Sequence, residues 1–197
     1  AQHLRNGKLD ETEWEKLIES AGVIGNSKLI IDDTPGISIQ EMRSKCRKYK
    51  LEQGLDMIII DYLQLVTSGG KRPESRQQEV SDISRSLKTM AMELKVPVIA
   101  LAQLSRNAEK RESNQPMLAD LRESGSIEQD ADMVLFINRS DYYKAKEQLD
   151  ASKNVVADII IAKHRKGSTG KFQLLFELNM SNFRNYLATE TEGLENE

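Results

Sequence analysis

Met57-Ile58-Ile59-Ile60 is an unbroken apolar run that ends on Asp61. A strand with one wetted face alternates apolar and polar residues, and this one does not. The run therefore predicts a strand buried on both faces, as in a parallel sheet covered by helices. Pro97 to Ala102 repeats the pattern and ends on Gln103. Two such strands point to a layered α/β architecture. They also bring a carboxylate and an amide to strand C-termini, the edge where open α/β sheets bind ligands.

The rest of the chain reads as elements around these strands. Asp10 to Ala21 carries Trp14, Leu17, Ile18 and Ala21 at helical spacing, with Asp10 or Thr12 as a cap. Lys28 to Asp32 reads as a short strand, and Asp33-Thr34-Pro35-Gly36 as a turn. A helix from about Ser38 aligns Ile39, Met42, Cys46 and Tyr49 and stops at Gly54. After the polar loop from Thr67 to Pro73, Val80, Ile83, Leu87, Met90, Ala91 and Leu94 form a long helical stripe. Arg106 to Gln115 reads as a loop, and Ser140 to Asn154 as a charged surface segment. Ala131 to Ile137 and Val155 to Ala162 read as strands, and Lys163 to Lys171 as a turn. Phe172–Phe176 and Phe183–Leu187 read as a closing antiparallel pair. The expected fold is a mostly parallel sheet with helices on both faces and an antiparallel edge. Residues 1–188 are expected to form one portion of a domain, and residues 189–197 a disordered acidic tail.

Composition narrows the function classes. The net charge of −3 makes the molecule no polycation, so any nucleic-acid contact must come from local clusters. Cys46 is the only cysteine, which excludes a disulfide framework or a cysteine-based zinc site within one chain. A reducing, cytoplasmic setting is expected. The apolar runs are strand-sized, so no membrane span is expected. Ala1 to Arg5 holds no signal core, and the first residue is not Met. The chain is expected to begin inside a longer gene product.

Four groups of residues can carry chemistry. Asp61 can help hold a Mg²⁺ that bridges phosphates, although a cap or turn role is the commoner use of such an Asp. Gln103 can hydrogen-bond a terminal phosphate or a polarised water, or be a satisfied loop amide. Arg165 lies in Lys163-His164-Arg165-Lys166-Gly167, and its planar donors suit the charge on a transferring phosphoryl group. Lys163, two residues earlier, projects from the same side of an extended segment. An ordinary solvated basic turn is the alternative. In Asp120 to Gln129, Gly125 allows close backbone approach and Arg122 can hold a nucleic-acid phosphate. Ser126 followed by Gln129 also fits a helix-capping box. Lys71-Arg72 reads as a solvated loop before a DNA contact, and His3 with His164 lacks metal-ligand spacing.

Two absences matter. No stretch matches G-x-x-x-x-G-K-[ST]; Gly69-Gly70-Lys71-Arg72 and Gly170-Lys171-Phe172 both fail. Asp61 is followed by Tyr62 rather than by Glu, so no general base for water is visible there.

Taken together, these stretches resemble the DnaB-type bacterial replicative DNA helicases. Ile60-Asp61-Tyr62-Leu63-Gln64-Leu65 looks like the Walker B segment of that family. Arg76-Gln77-Gln78-Glu79-Val80 and Ser84-Arg85-Ser86-Leu87-Lys88 follow its pattern. So do Pro97 to Arg106, Arg122 to Asp132 and Ile161 to Gly170, in the family's order. Leu4 to Leu9 and Asp32 to Pro35 also resemble the family's interior, so nearly the whole chain is covered.

The resemblance implies the later portion of a RecA-like P-loop NTPase motor, N-terminally truncated, with the Walker A loop and catalytic Glu lying upstream. It implies ATP and Mg²⁺ as cofactors. Asp61 corresponds to the Walker B Asp and metal ligand, and Gln103 to the phosphate-sensing amide. Lys163 and Arg165 match the pair that reaches a neighbouring subunit's nucleotide. Arg122, Glu123 and Gly125 match a channel loop that contacts single-stranded DNA. A homo-hexamer, primase and a helicase loader are the implied partners of the parent, and ATP-dependent unwinding its activity. The isolated chain is expected to lack ATPase activity. A RecA-like recombinase and a non-catalytic assembly module are the competing readings.

Overall fold

The structure is a computed structural model and describes residues 2–70, 75–105, 115–139 and 154–186. It divides into two compact units. One comprises Thr34–Ser140 and Asp158–Phe172, the other Ala1–Asp33, Asp141–Ala157 and Gln173–Glu197.

In the first unit, helix α3 (Ile39–Glu52) starts where the Ser38 hydroxyl accepts the Glu41 N–H at 3.2 Å. Ile39, Met42 and Cys46 face inward. Helix α4 (Arg76–Leu94) is capped by Ser75, and Val80, Ile83, Leu87, Met90 and Leu94 form its buried stripe. Strand β1 (Ile58–Ile60) pairs in parallel with β2 (Val98–Ala100), Ile58 opposite Val98 and Ile60 opposite Ala100. Leu63, Val66 and Val96 complete this core. Each fully buried Ile or Leu there contributes about 1.5–3 kcal/mol. The exposed side of the α3–α4 pair is tied by Glu93, which accepts from Arg43 and Arg47.

A second, smaller cluster joins Leu121, Val134 and Phe136, with Leu104, Leu118, Ile160 and Ala162 against it. It lies on β3 (Met133–Asn138), which pairs antiparallel with β4 (Asn154–His164).

The burial predicted for the parallel strands is only half met. Ile58 and Ile60 are buried, but Ile59 is 64% exposed and Ile99 45%. Helices cover one face of this two-stranded pair, and the other is open among the described residues.

The second unit holds α1 (Gln2–Asn6), α2 (Glu11–Gly25), the start of β4, and the part of β5 (Gly170–Glu177) from Gln173 on, which forms a hairpin with β6 (Asn182–Asn185). Asp10 caps α2 in a capping box with Glu13, their bonds being 2.8 and 3.1 Å. The helix expected over Asp10 to Ala21 is present, but α2 buries no residue, and Trp14 and Ile18 of its apolar stripe are exposed. Lys28 to Asp32 forms no strand either, and Leu29 and Ile31 are exposed. An extended segment becomes a strand only with a neighbour for its backbone groups. The closing antiparallel pair is present, with the Phe176 and Phe183 rings 4.7 Å apart.

Candidate active site

Asp61 and Gln103 follow the C-terminal ends of the adjacent parallel strands β1 and β2. The strands stay joined beyond the ladder. Leu101 N–H donates to Ile60 C=O at 2.9 Å, and Leu63 N–H to Leu101 C=O at 2.8 Å. Gln64, in the 3-10 turn Leu63–Leu65, then clamps Gln103. Its amide nitrogen donates to the Gln103 carbonyl at 3.1 Å, and its amide oxygen accepts the Gln103 N–H at 3.3 Å. The carboxylate and the amide therefore share one sheet edge, and both side chains are exposed there. The Asp61–Tyr62 peptide is cis. Among the described residues no group of three metal-ligating side chains exists. A lone carboxylate suits Mg²⁺, which keeps several waters and takes its remaining ligands from phosphates.

The basic pair is built differently. Lys163 lies within β4 rather than in the predicted turn, because the strand runs on to His164. Its ammonium donates to the carbonyls of Glu128 and Gln129, near the C-terminus of the short helix α5 (Gly125–Asp130). A cation is favoured at that end of a helix, where carbonyls lack intrahelical partners. Arg165 directly follows β4, and its backbone N–H donates to the Asp132 carbonyl at 2.8 Å. One of its terminal nitrogens donates to the Gln129 carbonyl at 3.2 Å. The other lies 3.4 Å from an Asp132 carboxylate oxygen, and half of the side chain is exposed. Lys88 of α4 binds the second Asp132 oxygen. Hydrogen bonding from Lys88, then the charges of Lys88, Arg165 and Lys163, hold the Asp132 carboxyl below the usual carboxylate range. The turn is tight: a Cβ on Gly167 would overlap the His164 ring.

Arg122 and Glu123 lie in the 3-10 helix Leu118–Ser124, and Gly125 opens α5. The side chains of Arg122 and Glu123, and Lys71 and Arg72 entirely, lie outside the described residues. The predicted Ser126 capping box is not formed. Ser126 sits inside α5, and its hydroxyl donates to the Ser81 hydroxyl of α4 at 2.8 Å. Sequence alone assigns no role to Gln64, Lys88 or Asp132. Gln64 interrupts an apolar string and Asp132 immediately precedes a strand, but neither position signals its distant partner.

The chain is similar to known proteins over nearly its whole length. The model of the DnaB-like helicase C terminal domain matches residues 1–185. The chain is 53% identical over 185 residues to the replicative DNA helicase DnaC of Bacillus subtilis. It is equally similar to the replicative DNA helicase DnaB of Geobacillus stearothermophilus. Each match covers 94% of this chain and 40% of the relative, so the chain spans well under half of their length. Among solved structures, one described as an ATPase domain superposes with a TM-score of 0.84 at 43% identity, covering 95% of this chain and 66% of that one. A structure described as a DnaB-like replicative helicase and its interactions with primase gives 0.80 at 43% identity, over 91% and 42%. The fold is accordingly that of a RecA-like ATPase domain, and the chain belongs to the DnaB-like helicase C-terminal domain family.

Proposed function

We propose that this chain is part of the motor of a replicative DNA helicase, which couples ATP hydrolysis to translocation on single-stranded DNA and duplex unwinding. The observation that carries the proposal is the placement of Asp61 and Gln103 side by side on one sheet edge, with Gln64 fixing the Gln103 backbone. In the proposed roles, Asp61 holds Mg²⁺ against the phosphates, and the ion's charge offsets that of the triphosphate. Gln103 hydrogen-bonds the terminal phosphate or the attacking water. Arg165 reaches the nucleotide of a neighbouring subunit in a ring of six. That role falls chiefly on Arg165, because the Lys163 ammonium already binds the end of α5.

The loop with Arg122, Glu123 and Gly125 is proposed to line the channel and contact single-stranded DNA, Arg122 and backbone N–H groups holding its phosphates, a contact that is sequence-independent and sensitive to salt. Primase and a loader are the proposed protein partners. Because these 197 residues contain no phosphate-binding loop, the chain by itself is proposed to have no ATPase activity.

Arg165→Ala in the assembled helicase tests the proposal. ATP binding should persist while turnover falls by about 1000-fold. Turnover near the unsubstituted rate would overturn the role of Arg165, and filaments in place of rings under the electron microscope would overturn the assembly.

A further inference from the structure

Arg165 is long, exposed and attached to a turn. Such a side chain samples many rotamers unless its surroundings hold it. Three contacts hold it here, all at the junction between α5 and β3. The Asp132 carbonyl takes the Arg165 backbone N–H, the Gln129 carbonyl takes one guanidinium nitrogen, and the Asp132 carboxylate faces another at 3.4 Å. Asp132 is itself restrained, since Lys88 of α4 binds its second oxygen. A guanidinium has five N–H donors, so these contacts leave most of them for an incoming anion.

We propose that Asp132 is a positioning residue that, braced by Lys88, sets the direction in which Arg165 is presented to the neighbouring subunit's nucleotide. The inference rests on the reading of Arg165 as a donor in trans. The Asp132 side chain is 61% exposed, and exposed ion pairs contribute little to stability. Removing its charge should leave the fold intact while misdirecting the guanidinium. The low carboxyl pKa agrees with a carboxylate that stays ionised between two cations.

The experiment uses the assembled helicase and compares Asp132→Asn, Asp132→Glu, Lys88→Met, Arg165→Ala and the double variant Asp132→Asn with Arg165→Ala. Thermal melting and ring assembly of each variant report on folding. A misplacement of about 1 Å can cost on the order of 100-fold in rate, so Asp132→Asn should lower kcat by about 10- to 100-fold. The KM for ATP should stay within about twofold if the misplaced group acts on turnover rather than on binding. Asp132→Glu should recover part of the loss, and Lys88→Met should give a smaller loss of the same kind. The double variant should be no slower than Arg165→Ala, because a misdirected group that is absent cannot matter again. If Arg165→Ala is slow while Asp132→Asn turns over normally or faster, the positioning role alone is wrong. Losses that multiply in the double variant also overturn it. If Arg165→Ala itself turns over normally, the trans reading fails and this inference goes with it.

Discussion

The two halves of the candidate site are held by different kinds of bond. Asp61 and Gln103 leave adjacent strands whose ladder continues through Ile60, Leu101 and Leu63, so main-chain hydrogen bonds set their spacing. The backbone of Lys163 is also set by a ladder, opposite Val134 in the β3–β4 pair, and that of Arg165 by one bond to Asp132, but their charged ends are placed by side-chain contacts to the end of α5 and to Asp132. The first half is a property of the fold and tolerates many nearby substitutions. The second depends on a few side chains and can be retuned by changing any of them. A group with the role proposed for Arg165 gains from the second design, since it must change partners without unfolding its own chain.

The contrast can be broken at its strong half. Gln64 is the side chain that supplements the backbone ladder at the strand ends. Gln64→Ala should lower turnover of the assembled helicase by about tenfold and cost about 1 kcal/mol per lost hydrogen bond, read by denaturant melting. An unchanged rate would mean that the ladder alone positions Gln103.

At the weaker half, Gly167→Ala sets a methyl group against the His164 ring and must shift the turn that carries Arg165. Turnover should fall several-fold. Adding His164→Ala should restore most of it by vacating the space. A double variant as slow as the single one would place the defect elsewhere.

The smallest effect lies at the tie between α3 and α4. Glu93 has its carboxyl held below its ordinary value of 4.5, first by the hydrogen bond from Arg47 and then by that from Arg43. Folding favours its ionised form, so its contribution to stability is complete above that ordinary value. It is lost as pH falls through the lower folded value. Glu93→Gln should therefore slightly flatten the decline in melting temperature on acidification below about pH 5. Parallel curves for the two proteins would show that the α3–α4 tie contributes nothing.

Local elements were legible because their signals lie within a few residues. The α4 stripe from Val80 to Leu94, the start of α3 at Ser38 and the β5–β6 pair follow from spacing and capping chemistry. Lys28 to Asp32 shows the limit, since a strand-like composition cannot supply the neighbouring strand. Ser126 shows another: its hydroxyl fits a cap on paper, but α5 begins one residue earlier and turns it towards Ser81.

By itself the amino-acid sequence determined that Asp61 and Gln103 end apolar strands, and it marked them, with Arg165, as the residues proposed to carry the chemistry. Only the tertiary structure decided what holds them. Gln64 reaches Gln103 across 39 positions, and Lys88 reaches Asp132 across 44. It also decided that Ile59 is open and that the Lys163 ammonium closes a helix end. Periodicity and capping are written in neighbouring residues, whereas a contact between distant positions exists only once packing has brought their elements together.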